Sequence, residues 1–211
     1  MPNLLAVLAS PRGEYSVSRT LTAQFIEEWK KDHPGGDVVT RDLTRTNLPF
    51  VDLPWIAGAY TPLEQHSPEM TQALAISNEL IAELQQADHI VIGTPMYNFA
   101  APAILKAWID HIVRFGVTFN ASYEGLLKGK KLTVILASGG VYTPGAFAES
   151  YNHETGYLKF ILGFIGLTDV TFVMAGGSNE VSQGKRTQAD LVAQFTPEVV
   201  AAAGVVAAAA S

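Results

Sequence analysis

Cysteine is absent from the chain, which excludes disulfides, thiolate nucleophiles and cysteine-ligated metal centres. Long apolar runs are missing as well: none approaches the ~18 residues that a membrane span requires. The N-terminal stretch MPNLLAVLASPRG has no basic n-region and only a strand-length apolar run. No export signal is therefore expected, and the cytoplasm is the expected compartment. Charge is sparse, at 16% of residues, and the fourteen Lys and Arg within a net charge of −6 are scattered. Their one dense spot, KGKK at 128–131, stands just before an apolar run and reads as a solvated turn. Nucleic-acid binders carry a basic stripe or patch, so neither nucleic acid nor membrane is an expected partner. No G-x-S-x-G elbow or H-E-x-x-H pair occurs. His33, His66, His89, His111 and His153 fall into no ligand set, so no metal is expected. Asp110 and His111 are adjacent on a predicted helix, which points their side chains apart and excludes a relay.

What remains is apolar: 48% of 211 residues, enough for one sizeable domain. Strand-like runs alternate with helical patterns, the signature of βαβ units and an α/β fold. NLLAVLA (3–9), DVVTRDL (37–43), HIVIGTP (89–95), LTVILAS (132–138) and TDVTFVMAG (168–176) read as five strands. Helices are predicted over 18–31, over 67–87, from Pro102 onward, over 150–165 and over 184–195. Leu21, Phe25, Ile26 and Trp29 give the first helix its apolar face, with Ser18 as cap; Ser67, Pro68 and Glu69 open the second. Continuous apolar character in the strands implies burial on both faces. The expectation is a single doubly wound domain over 1–197, a five-stranded parallel sheet with helices on both faces. The Ala/Val-rich tail, 198–211, is either more helix or a frayed end.

Sheets of this kind hold ligands beyond the carboxyl ends of their strands, where strand order switches. Three loops leave those ends: SPRGEYSVS after strand one, PMYNFAAP after strand three and SGGVYTPG after strand four. In the first, hydroxyls of Ser10, Ser16 and Ser18 lead into a helix whose free amides favour an anion. The loop lacks the Lys of a P-loop and the G-x-G-x-x-G of a dinucleotide fingerprint. That suits a terminal monophosphate, although a simple capping loop would use the same serines. In the second, Pro95 and Pro102 stiffen a display of Tyr97, Asn98 and Phe99, two flat faces and an amide edge. Met96 is explained equally well by packing beneath the next helix. In the third, Gly139 and Gly140 let backbone amides approach a ligand or merely serve a turn, and Tyr142 stands where it would close over the site. A phosphate at strand one and a flat heterocycle between strands three and four describe how flavin mononucleotide (FMN) sits on flavodoxin-like sheets.

PMYNF after a strand, the spacing Ser10…Ser16-Val17-Ser18, the Ser138-Gly139-Gly140 turn and LGFIGLTDV at 162–170 resemble the FMN-dependent NADH-azoreductase family. That family comprises bacterial relatives of NAD(P)H:quinone oxidoreductases, and the likeness runs from residue 3 to about 195. It implies non-covalent FMN, two electrons taken from NADH or NADPH, and their transfer to quinones or to azo compounds, which are cleaved to two amines. It implies a homodimer with FMN near the subunit interface. By position, Ser10, Ser16, Val17 and Ser18 would hold the phosphate. Pro95, Met96, Tyr97, Asn98 and Phe99 would frame the ring with Ser138, Gly139, Gly140 and Tyr142. Phe164 would line the acceptor pocket, and Trp55 and Tyr60, in the long 44–68 connection, would reach over that pocket or bury at a dimer contact. Where some relatives carry Ser-Arg-Gly-Gly and then a histidine, this chain has Ala137-Ser138-Gly139-Gly140 and then Tyr142, a change expected to alter potential or acceptor choice. Tyr142 is the candidate proton donor; an aromatic wall is the plainer reading of it. Donor and acceptor sharing one face of the ring implies ping-pong kinetics. Two alternatives stay open: a flavodoxin-type electron carrier without its own substrate, and a non-redox ligand-binding domain.

Overall fold

The computed structural model describes residues 1–204. At its centre lie β1 (Asn3–Leu8), β2 (Asp37–Asp42), β3 (His89–Pro95), β4 (Lys131–Ala137) and β5 (Asp169–Ala175), all parallel, in the order β2-β1-β3-β4-β5. Around them are α1 (Val17–Asp32), α2 (Leu53–Tyr60), α3 (Pro68–Gln86), α4 (Ala103–Ile112), α5 (Glu154–Phe164), α6 (Ser178–Ser182) and α7 (Gln188–Ala203). The five-stranded, doubly wound α/β fold is as expected.

Strand alternation sorts the core into two layers. Leu5 and Val7 of β1 face Leu80, Ile81 and Leu84 of α3, Trp108 and Ile112 of α4, and Leu158 and Leu162 of α5. Leu4 and Ala6 face the opposite way, onto Leu21, Phe25 and Trp29 of α1 and Leu191, Phe195 and Val199 of α7. Burying a side chain of this size is worth roughly 1.5–3 kcal/mol, so these two apolar layers dominate the stability of the domain. Gly93 sets how closely α1 approaches the sheet, because a Cβ there would lie 2.4 Å from Thr22 Oγ1.

Several boundaries differ from expectation, each for a local reason. The cap of α1 is Ser16, whose Oγ accepts from Arg19 N at 3.3 Å; Ser18 lies inside the first turn. The 44–68 connection contains α2, capped by Asp52 Oδ1 accepting from Trp55 N at 3.0 Å, with a proline in its opening turn. α5 starts at Glu154 rather than near 150, because Asn152 Oδ1 accepts from the amides of Glu154 and Thr155. No break falls at Pro197: α7 runs through it to Ala203. Beside it the Thr196 hydroxyl lies 3.0 Å from both Val192 O and Gln24 Oε1, tying α7 to α1. Residues 198–203 are therefore helix, whereas 205–211 lie outside the described residues. The basic KGKK spot is a turn in which Lys130 Nζ donates to the carbonyls of Gln85 and Ala87, the end of α3.

Candidate active site

Parallel register brings the carboxyl ends of β1, β3, β4 and β5 level: Leu8 pairs with Gly93, Pro95 with Ala137, and Ala137 with Ala175. The switch in strand order lies between β1 and β3. A cleft of about 250 Å³ opens there, lined on one side by Ser10, Ser16, Val17 and Ser18, and on another by Pro95, Met96 and Tyr97. Ala137, Gly139, Ser178, Asn179 and Ser182 complete it, with Arg12 at the rim.

The serine end is an anion cradle. Ser10, Ser16 and Ser18 are almost fully buried, yet the Ser16 and Ser18 hydroxyls sit 3.2 Å apart with capacity for a further acceptor. Val17 and Ser18 occupy the first turn of α1, where their amides have no intrahelical acceptor and the helix dipole is positive. Arg19 fixes the loop: its Nε donates to Ser10 O at 2.7 Å, while its two terminal nitrogens grip Asp42 at 2.9 and 2.7 Å. Burial works against the Asp42 charge, but the bonds from Arg19 and Thr44 outweigh it and hold the carboxyl below its usual value. The Arg19 charge is therefore neutralised by protein, and Arg12 is the cation left at the cradle.

The opposite wall is a tight turn. Tyr97 N donates to Ala100 O and Ala100 N to Tyr97 O, both at 3.0 Å. Between them Asn98 and Phe99 carry φ of +49° and +67°, the pattern of a type I′ turn. Asparagine tolerates that region, but phenylalanine there is strained, and such strain collects where a ligand is gripped. The turn is nevertheless well tied: His153 N donates to Phe99 O at 3.0 Å, and the Phe99 ring meets Tyr142 at 6.1 Å and Tyr151 at 5.6 Å. Tyr97, Asn98 and Phe99 all stand exposed. Met96 is 9% exposed and does both things proposed for it, touching the core and the cleft.

On the third side, the carbonyls of Ser138, Gly139 and Gly140 accept from the amides of Ser178, Asn179 and Gly177 respectively. Drawn toward the β5 loop in this way, they leave the Gly139 and Gly140 amides without an acceptor among the described residues. A Cβ at 139 would displace the Asn179 side chain, lying 2.5 Å from its Oδ1, and one at 140 would press on the Tyr142 ring at 3.0 Å. The Tyr142 ring lies against Gly140 and meets Phe99 edge-on, outside the cleft lining.

Three residues placed over an acceptor pocket lie away from the cleft lining. Trp55 is 7% exposed, and its indole donates to His111 Nδ1 at 3.1 Å, so it ties α2 to α4. His111 in turn bonds Pro49 O through Nε2, and Asp110 pairs with Lys106, so the adjacent Asp and His form no relay. Tyr60 stacks on Phe115 at 6.4 Å; Phe115 leads to Phe119 and Phe119 to Phe164 at 4.8 Å. Phe160 and Tyr123 flank Phe164, and this run of rings is largely exposed. Sequence reasoning missed Arg12, Arg19 and the whole β5 loop. The Gly176-Gly177-Ser178-Asn179 run was the available signal, since a Cβ at Gly176 would meet Gly140 O at 2.8 Å.

Comparison with known proteins places this geometry. Residues 2–196 match the family described as having the flavodoxin-like fold, Flavodoxin_2. FMN-dependent NADH:quinone oxidoreductase 8 of Burkholderia lata is 48% identical over 203 residues, 96% of this chain and 97% of that protein. FMN-dependent NADH:quinone oxidoreductase 2 of Jannaschia sp. is 50% identical over 203 residues, 96% of this chain and all of its own length (100%). Among solved structures, an azoreductase from Bacillus anthracis str. Sterne superposes with a TM-score of 0.85 at 29% identity, covering 96% of this chain and 99% of its own. An FMN-dependent NADH-azoreductase from Bacillus anthracis str. Ames Ancestor, in complex with FMN, gives 0.83 at 25% identity over 95% and 97%.

Proposed function

The chain belongs to the flavodoxin-like-fold family Flavodoxin_2, and on that footing we propose that it is an FMN-dependent oxidoreductase passing two electrons from NADH to quinones and to azo compounds. The relatives' names support FMN, NADH and both acceptor classes. The observation that carries the reading is the convergence, in one cleft, of free amides and buried serines at α1 with Pro95, Met96 and Tyr97. Tyr97 opens the strained turn that Asn98 and Phe99 complete outside the cleft lining.

The residues fit FMN. A monophosphate suits Ser10, Ser16 and Ser18 and the amides of the first turn of α1, with Arg12 the one charged side chain in the cleft lining and of the complementary sign. The flat ring suits the Tyr97–Phe99 face, with Asn98 at its edge. When bound, the flavin supplies the hydride-accepting centre. The protein does the rest. The free amides of Gly139 and Gly140 would favour negative charge at the ring edge, and Met96 would keep water from the cleft wall. If donor and acceptor shared one face of the ring the kinetics would be ping-pong, and an azo bond would need two such turns. Either pyridine nucleotide is a possible donor chemically; NADH is the one in the relatives' names.

The functional unit is a homodimer in the cytoplasm. The cleft is open on one side, at about 250 Å³ against the roughly 300–1,000 Å³ usual for ligand pockets, which leaves room for a partner's surface to cover it. The ladder from exposed Tyr60 and Phe115 to half-buried Phe119 and Phe164 is the surface suited to that task. Anaerobic addition of NADH to FMN-loaded protein, followed by visible absorption, tests the proposal. Rapid bleaching is expected. Bound flavin that resists NADH would indicate an electron carrier instead, and failure to bind flavin would refute the reading.

A further inference from the structure

Beneath the Tyr97–Phe99 turn lies a carboxyl that none of the chemistry above uses. Glu154, first residue of α5, is 0% exposed. Its Oε1 lies 3.1 Å from Thr94 Oγ1, and its Oε2 has no partner among the described residues. The same Thr94 hydroxyl lies 3.2 Å from Pro95 O, at the root of the wall that lines the cleft. One hydroxyl proton cannot serve both acceptors. If Glu154 were ionised, Thr94 would have to donate to it, Pro95 O would go without, and Oε2 would be a buried, unpaired anionic oxygen. Leaving such a group unpaired is costly. If Glu154 is protonated, a single donor chain satisfies every contact: Glu154 O–H to Thr94 Oγ1, and Thr94 O–H to Pro95 O.

The surroundings favour the protonated arrangement. Burial pushes the carboxyl up to about 8, opposed only by the Thr94 bond. The other groups near it are His153 beside it in sequence and Tyr157 on its own helix, Thr94 on β3, and Tyr142 on the β4 loop, reached through Asn152. None of these supplies a counter-charge. The start of α5 also braces the loops that face the ring: His153 N holds Phe99 O, and Asn152 Nδ2 holds Tyr142 O at 3.3 Å.

We propose that Glu154 is a positioning residue that ties one proton, through Thr94 and Pro95, to the electron content of the cofactor held against the turn. The inference rests on the FMN reading above. Each hydride brings two electrons and one proton from the nicotinamide, which leaves oxidised. The negative charge that follows draws one solvent proton onto the Glu154 carboxylate, and reoxidation by the acceptor releases it. Because the carboxyl is already protonated at neutral pH, this extra uptake operates above about pH 8.

The test is a potentiometric titration of the FMN-loaded full chain across pH, with Glu154→Gln and Thr94→Val, paired with infrared spectra of the cofactor-free protein. Above about pH 8 the wild-type potential is expected to steepen by one proton per two electrons, roughly 30 mV per pH unit, while Glu154→Gln keeps one slope. Thr94→Val removes the hydroxyl that joins the carboxyl to Pro95 O, so the added slope is expected to vanish, and it decides the matter if Glu154→Gln does not fold. The cofactor-free wild type should show a protonated-carboxyl band at pH 7 that titrates away near pH 8 and is missing in Glu154→Gln. Parallel slopes in flavin-loaded wild type and Glu154→Gln, or no such band, would overturn the inference while the FMN reading stands. Absence of FMN binding would overturn both.

Discussion

Phe99 holds a φ of +67°, in a region that side-chain-bearing residues avoid. A left-handed residue with a Cβ costs about 1–2 kcal/mol, and glycine escapes that cost while giving back about 0.4–1 kcal/mol through its freer unfolded chain. Phe99→Gly should therefore be more stable than Phe99→Ala by roughly 0.5–1 kcal/mol, or about 1–4 °C in melting temperature for a chain of this size. At ordinary backbone angles the order is the reverse, so the sign alone is diagnostic. Both variants lose the edge contact to Tyr142 and the tilted ring contact to Tyr151, each worth about 0.5–1.5 kcal/mol, so both should melt below wild type. Both should also weaken FMN alike, on the order of tenfold for about 1.4 kcal/mol of lost ring contact. Thermal melts followed by circular dichroism, with flavin titrations by fluorescence quenching, read the two effects separately. An alanine variant as stable as the glycine one would refute the strained turn. Wild-type FMN affinity in both would refute the ring wall.

Ser16→Ala should lose about 1 kcal/mol with the α1 cap and should weaken FMN about tenfold without changing riboflavin affinity, since riboflavin lacks the phosphate; paired titrations check this. Gly139→Ala should fold, because its Cβ meets only the exposed, movable Asn179 amide at 2.5 Å, but should bind FMN poorly; Asn179→Gly in the same chain should restore binding. Gly125→Ala should instead lose more than about 3 kcal/mol, since its Cβ would fall 2.1 Å from Gly166 N, a backbone atom that cannot step aside. Burial, aided by Lys131, lowers His89 to about 4. The unfolded chain takes up that proton near 6.5 while the folded chain does not until about 4, so stability should fall as pH drops through this window. Urea titrations of His89→Leu should show a flatter acid limb, and an unchanged limb would refute the assignment.

Much of this was legible because apolar periodicity reports burial directly. β1, β3 and β4 read as continuous apolar runs, and they are the buried middle of the sheet. Ser67 announced the start of α3, and its Oγ accepts from Met70 N at 3.3 Å. The cleft was legible where a loop concentrates groups costly to leave idle, as at Ser10 to Ser18 and Tyr97 to Phe99. α2 was hidden because Pro49, Pro54 and Pro62 read as breakers, although Pro54 sits in the helix's opening turn, where proline is tolerated. Trp55 looked available because nothing local reveals that its partner is His111, 56 positions away. Glu154 escaped notice for the same reason: Thr94 is 60 positions distant, and only the closed fold strips that carboxylate of water.

The last helix lies directly on the first. Leu191, Phe195 and Val199 of α7 cover the Leu21, Phe25 and Trp29 stripe of α1, and Thr196 reaches Gln24. During synthesis that stripe leaves the ribosome early and waits, uncovered, until almost all of the polypeptide has followed it. The cradle at the head of α1 shares the wait, since the β5 loop that completes the cleft is also made late. A truncated product lacking α7 would leave Phe25 and Trp29 of α1 without the cover of Leu191, Phe195 and Val199.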